Sequence, residues 1–418
     1  MSPALRTWRS RVFASTWLCY VGFYLCRKPF YIAKSELGNA TGWDASDLAF
    51  IGSAYLIAYA AGQFIAGWAG TRGGARRLLL AGMALSVLSN VVFGLTNNLG
   101  LFATFMAING LAQATGWAGT VSTMGNWFMR RERGTVMGFW ATCFQFGGVF
   151  GNGLAAWALG KWGFEYSFFC GSAAMLLVIA FFALNQRNAP EDVGLKLPIG
   201  EEEGADPASS TSEIGGLGWS RSTLNTVLIV GSFYFFVKFI RYALWSWVPF
   251  FLSRNYGLEG DDAGYLSTVF DLCGIAGVIV CGWMSDRYFK GKRAKISVIF
   301  LVLMAASCIL MYTAGQVAVA LFGISLGLVG FSLYGPDALM TGAAAQDIGG
   351  RSTAMAAGII NGMGSIGAVV QEFVIGRMYD KSAGDLGPIF AMLVVAAVLA
   401  CLSLGVVLYR NRQGISDV

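Results

Sequence analysis

Histidine is absent from the 418 residues, and only 12% of the chain is Asp, Glu, Lys or Arg, about half the ~25% of a soluble domain. Without histidine there is no Ser-His-Asp or Cys-His nucleophile, and the commonest zinc ligand is missing. The eight cysteines (Cys19, Cys26, Cys143, Cys170, Cys273, Cys281, Cys308 and Cys401) never form a C-x-x-C pair. Each lies in an apolar run and reads as a small buried hydrophobe. No metal, no cofactor and no enzymatic reaction is expected. Prolines are few, eight in all, and one of them, Pro29, stands as a helix-disturbing residue inside the first long apolar run, directly behind Arg27 and Lys28.

What the chain has in abundance is apolar length. Hydrophobic residues make up 56% of it and the mean hydropathy is +0.60. A helix crosses a bilayer with about 20 mostly apolar residues. Twelve such runs are expected, over residues 12–33, 46–70, 77–96, 100–128, 134–158, 166–186, 224–251, 261–285, 295–314, 317–345, 352–376 and 387–409. The first is too long, and too polar at its end, to be a cleaved signal peptide. The expectation is an all-α membrane protein with many spans embedded in a lipid bilayer.

Cytoplasmic loops carry the Lys/Arg excess. Placing both termini inside puts Arg6, Arg9, Arg11, Arg130, Arg131, Arg133 and most other cations on that side, leaving only Lys34, Lys161, Arg254, Arg377 and Lys381 outside. The net charge of +6 is thus a topology signal, and no nucleic-acid partner is implied. One polar stretch, "RNAPEDVGLKLPIGEEEGADPASSTSEIGG", reads as a flexible linker. The chain then divides into a six-helix half over 1–186, a cytoplasmic linker over 187–223 and a second six-helix half over 224–418.

The halves repeat. "GWAGTRGGARR" starts at Gly67 and "GWMSDRYFKGKR" at Gly282, an offset of 215; Glu132 and Asp347 share that offset, and Arg27 and Arg241 are 214 apart. Three unrelated features at one spacing indicate an internal duplication. Transporters built this way place their site near the membrane midplane, between the halves.

Four cations fall inside the spans: Arg27, Lys28, Lys238 and Arg241. Each costs about 2.5–3.5 kcal/mol at a helix centre on insertion scales. Arg27 lies within snorkelling reach of its helix end, whereas Arg241 is roughly ten residues, ~15 Å, from its own. Both arginines are therefore candidates to meet an anion in a polar cavity, and their planar fork suits phosphate or carboxylate. Lys238, three residues before Arg241, shares its helix face. Lys28 points elsewhere, and Asp271 is its candidate partner. Asp337 and Glu372 are the remaining acids within spans, open to either buried pairing or proton transfer. Tyr20 and Tyr24 lie one turn apart beside Arg27, as cavity hydroxyls or as interfacial anchors.

Five segments carry a resemblance: "YLCRKPF", "GWAGTVSTMGNWFMRRERG" from Gly116, "RNAPEDVGL", "CGWMSDRYFKGKR" from Cys281 and "YGPDALMTG" from Tyr334. In this order they resemble the organophosphate:inorganic phosphate antiporter family of the major facilitator superfamily, over essentially the whole chain. The resemblance implies twelve transmembrane helices in two pseudo-symmetric halves, and phosphate held by Arg27 and Arg241. It also implies cavity tyrosines at Tyr20, Tyr24, Tyr59 and Tyr334, a Lys28–Asp271 charge pair, and gating loops with Arg72, Asp286 and Arg287.

The chain departs from the family pattern at several of these places. Gln63 stands where a second-helix lysine is found, Phe144 and Gln145 where a histidine is found, Lys238 in place of a tyrosine, and Thr71 in place of a loop aspartate. The expected substrates are therefore a hexose phosphate or glycerol 3-phosphate, together with inorganic phosphate. They would be exchanged by a monomer in a bacterial inner membrane. A membrane sensor of sugar phosphate and a proton-coupled organic-anion carrier are the alternatives.

Overall fold

The computed structural model describes residues 2–129, 136, 139, 140, 142–196, 221–289, 293–340 and 353–413. Among the described residues the regular structure is helical. The helices are α1 (Pro3–Leu25), α2 (Lys28–Ile32), α3 (Lys34–Thr41), α4 (Ala45–Gly73), α5 (Ala75–Phe93), α6 (Leu99–Trp127), α7 (Cys143–Trp162) and α8 (Phe164–Asn185). After the stretch 197–220 come α9 (Arg221–Tyr256), α10 (Gly260–Tyr288), α11 (Arg293–Leu310), α12 (Val319–Ala338), α13 (Thr353–Lys381) and α14 (Gly387–Arg412). Nine helices among the described residues are long and apolar enough to cross a membrane. Helices α1, α6 and α7 have 23, 29 and 20 residues, but Gly, Asn, Gln, Thr or Arg dilutes their hydropathy.

The same pairings recur before and after 197–220. In the first group α1 packs on α7 and α8, α4 on α6, and α5 on both α6 and α8; in the second, α9 packs on α13 and α14, α10 on α12, and α11 on both α12 and α14. Between the groups α4 meets α13 and α7 meets α10. Among the described residues, polar contacts between the groups include several at the end remote from the chain termini. There the Asp380 carboxylate accepts the Ala45 and Ser46 amides of the α4 N-terminus at 3.2 and 2.8 Å, and Arg254 Nε donates to Ser35 Oγ at 3.1 Å.

The expected first span is not one helix. Pro29 has no amide hydrogen to continue the ladder, and the chain turns at Cys26–Arg27 between α1 and α2. The Cys26 carbonyl exposed by the break accepts Asn90 Nδ2 at 2.8 Å and Asn109 Nδ2 at 3.2 Å. The buried break is satisfied by side chains, as a low-dielectric interior demands. It also turns Arg27 and Lys28 toward different partners. Gly151 is required opposite them, since a Cβ there would come within 2.9 Å of the Lys28 stem.

A second difference concerns Lys34, expected outside the membrane as a loop cation. It is fully buried at the start of α3, because the break at Arg27 folds α2 and α3 back against α9.

Candidate functional site

Arg27, only 7% exposed, sits in a cage of ring faces. Its guanidinium carbon lies 5.0, 5.4 and 5.2 Å from the ring centroids of Tyr24, Tyr55 and Tyr59, the range of cation–π attraction. Its Nε donates to Gln113 Oε1 at 2.7 Å, and the Tyr55 hydroxyl donates to the same oxygen at 3.0 Å. Gln113 Nε2 in turn donates to Asn109 Oδ1 at 3.1 Å. One asparagine, Asn109, therefore serves both the helix break and the glutamine that orients Arg27. Because only Nε is committed among the described residues, the two terminal nitrogens remain available as a fork.

Arg241 on α9 is held differently. Its Nη1 donates to Asp337 Oδ2 at 2.7 Å, and its guanidinium lies 4.6 Å over the Tyr334 ring. One turn earlier, Lys238 Nζ donates to Asn361 Oδ1 at 2.9 Å and Ser365 Oγ at 3.2 Å, 5.0 Å from the Tyr234 ring. Lys238 thus has neutral partners on α13, while Arg241 has a carboxylate on α12. Asn361 is exposed and the Arg241 side chain is 25% exposed, so the cluster is open on this side.

Lys28 joins the two arginines. Its Nζ lies 3.6 Å from Asp271 Oδ2 and 3.8 Å from the Trp245 ring centroid. Asp271 Oδ1 accepts the Tyr334 hydroxyl at 2.6 Å. The contacts run from Arg27 through Tyr24, whose ring meets Trp245 at 6.5 Å, then Lys28, Asp271 and Tyr334 to Arg241. Four cations and two carboxylates make up this cluster, a formal surplus of two positive charges. Each of the two carboxylates thus faces a cation of the cluster, Asp271 paired with Lys28 and Asp337 hydrogen-bonded by Arg241.

Among the other sequence candidates, Tyr20 is buried, with Trp140 and Phe144 edge-on at 5.1 and 5.0 Å. Its ring contacts place it in the aromatic wall behind Tyr24. Gln63 and Gln145 are half-buried, and neither is tied to the cluster by a hydrogen bond among the described residues. Arg287 is exposed at the end of α10. The side chains of Arg72 and Asp286 lie outside the described residues, as do Glu132 and Asp347. Sequence reasoning missed Tyr55, Gln113 and Asn109. The spacing of Tyr55 one turn before Tyr59, and of Asn109 one turn before Gln113, is the signal that could have found them.

The major facilitator superfamily profile matches residues 16–371. The glucose-6-phosphate exchanger of Bos taurus is 31% identical over 97% of this chain and 94% of its own length. The glycerol-3-phosphate transporter of Bacillus subtilis is 30% identical over 97% and 93%. Among solved structures, a bacterial homologue of the human lysosomal transporter Spinster aligns with a TM-score of 0.76 at 14% identity, covering 97% of this chain and 96% of that one. That likeness speaks for the fold alone. With these matches, the all-helical architecture and the buried Arg27–Arg241 cluster in view, the chain belongs to the major facilitator superfamily, and within it to the organophosphate:inorganic phosphate antiporter family.

Proposed function

We propose that this protein exchanges an organophosphate, a hexose phosphate in the first instance, for inorganic phosphate by alternating access. One observation carries the reading. The cluster has a formal surplus of two positive charges, and a phosphate dianion or phosphate monoester dianion brings two negative ones. Arg27 presents its free fork, and Arg241 and Lys238 complete the grip from α9. In this reading Tyr24, Tyr59 and Tyr334 line the site, and Gln63 and Gln145 are assigned to contact with the organic part. Lys28 and Asp271 serve as a structural charge pair.

In this reading twelve spans form two six-helix halves, 1–186 and 224–418, joined by 187–223, with Arg72, Asp286 and Arg287 in the gating loops. The recurring helix pairings support it. Both termini are cytoplasmic, and the monomer lies in a bacterial inner membrane. The contacts at the Asp380 and Arg254 end then close the outer side. The empty site must desolvate two uncompensated charges to occlude. Bound phosphate neutralises them and lowers that barrier, so the loaded carrier reorients and the empty one does not. Proteoliposomes filled with inorganic phosphate should take up labelled glucose 6-phosphate, and unfilled ones should not. Equal uptake in both would refute exchange.

A further inference from the structure

The two arginines of the site differ in their counter-charge. Arg27 is oriented by a neutral amide, Gln113, and Lys238 by Asn361 and Ser365, whereas Arg241 Nη1 already donates to Asp337 Oδ2 at 2.7 Å. The Asp337 side chain is 8% exposed. Asp271, the other carboxylate, is already shared between Lys28 and Tyr334. Asp337 is therefore the carboxylate that meets an anion arriving at Arg241.

A guanidinium grips phosphate with two parallel N–H donors. With one Nη1 hydrogen committed, phosphate uses the remaining guanidinium donors beside Asp337 or displaces the aspartate from Nη1. On either route it encounters a like charge within the width of one guanidinium. Resting on the phosphate-binding reading above, we propose that Asp337 is an internal competitor for substrate at Arg241, and that it trades affinity for release. When phosphate leaves, the Arg241–Asp337 pair re-forms, so the arginine is not left buried without a counter-charge. An exchanger must release its cargo in every half-cycle, and a surrogate anion poised on one of two arginines speeds that step.

The test uses Asp337→Asn, Arg241→Gln and the double variant, each checked for folding by thermal unfolding. Binding of labelled inorganic phosphate and exchange in proteoliposomes are then measured. Asp337→Asn is expected to bind phosphate about tenfold more tightly, the scale of removing one nearby like charge, with a lower KM and a lower kcat for exchange. Arg241→Gln leaves Asp337 facing the anion without the guanidinium and is expected to lose binding, which the double variant partly restores. A folded Asp337→Asn protein with unchanged or weaker phosphate binding would overturn the proposal. If Asp337→Asn does not fold, the comparison of Arg241→Gln with the double variant decides: no recovery overturns it. Wild-type protein that neither binds phosphate nor exchanges it would instead defeat the functional reading itself.

Discussion

Lys34 Nζ lies 2.7 Å from Glu372 Oε1, and neither side chain has any exposure. The ammonium also sits 3.4 Å from the Trp247 ring centroid. The carboxylate takes further hydrogen bonds from Ser246 Oγ at 2.9 Å, Trp247 Nε1 at 3.2 Å and Gln371 Nε2 at 2.9 Å. A Cβ at Gly52 of α4 would fall against this same carboxylate, so the pair is built into the contact between the helix groups. Breaking one member strands the other, which costs about 3–5 kcal/mol in buried pairs. Lys34→Met and Glu372→Gln are each expected to lower the unfolding temperature sharply, and the double variant to recover most of the loss. Simple addition of the two losses in a thermal-unfolding cycle would contradict the pairing.

Lys34, Ser246, Trp247 and Gln371 all donate to the Glu372 carboxylate, which makes it the structural counter-charge of Lys34 between the helix groups. Exchange of glucose 6-phosphate for phosphate at fixed pH is accordingly expected to keep its rate when a protonophore collapses an imposed proton gradient. A substantial drop would return Glu372 to consideration as a proton carrier.

Tyr334 links the Lys28–Asp271 pair to the ring face under Arg241. Tyr334→Phe keeps the ring and removes the 2.6 Å hydrogen bond to Asp271. The loss should be about 1.5–3 kcal/mol, the scale of a hydrogen bond to a charged group, read as stability in thermal or denaturant unfolding. In a separate cycle, Lys28→Ala combined with Asp271→Ala is expected to do less damage than the sum of the single changes. Additive damage would separate the two residues.

Gln113 orients Arg27 without neutralising it. Gln113→Leu removes the acceptor of the buried Nε and is expected to weaken phosphate binding by about tenfold, one charged hydrogen bond's worth, with the ranking of esters unchanged. Gln113→Glu gives Arg27 a stronger partner but brings a carboxylate toward the anion, and should bind phosphate no better than the leucine variant. Wild-type affinity in Gln113→Glu would mean that any acceptor suffices and that neutrality at this position is immaterial.

Much of this arrangement was legible in the sequence. The matched offsets of Arg27 and Arg241 marked both arginines, adjacency turned Lys28 away from Arg27, and an acid within the eighth expected span together with the family resemblance offered Asp271 as its partner. Lys34 was hidden because hydropathy counts it as the flank of a span, while the break at Arg27 returns the chain to the interior. Asp337 was visible as an intramembrane acid. Its partner was not, because helices α9 and α12 are brought together only by tertiary packing. Gln113 and Asn109 were unremarkable polar residues in a helix rich in Gly, Ala and Thr. Their roles depend on a carbonyl that only the break exposes.

If Arg27 grips phosphate with its free fork, the planar pair of donors matters as much as the charge. The most direct measurement is phosphate binding to purified Arg27→Lys, with Arg241→Lys alongside. Lysine keeps the charge and loses the planar pair of donors. Arg27→Lys is expected to fold normally and bind phosphate and glucose 6-phosphate about 10- to 150-fold more weakly, corresponding to ~1.5–3 kcal/mol. Arg241→Lys, whose arginine already spends one nitrogen on Asp337, should lose less. Near wild-type affinity in Arg27→Lys would mean that Arg27 does not grip phosphate with its fork.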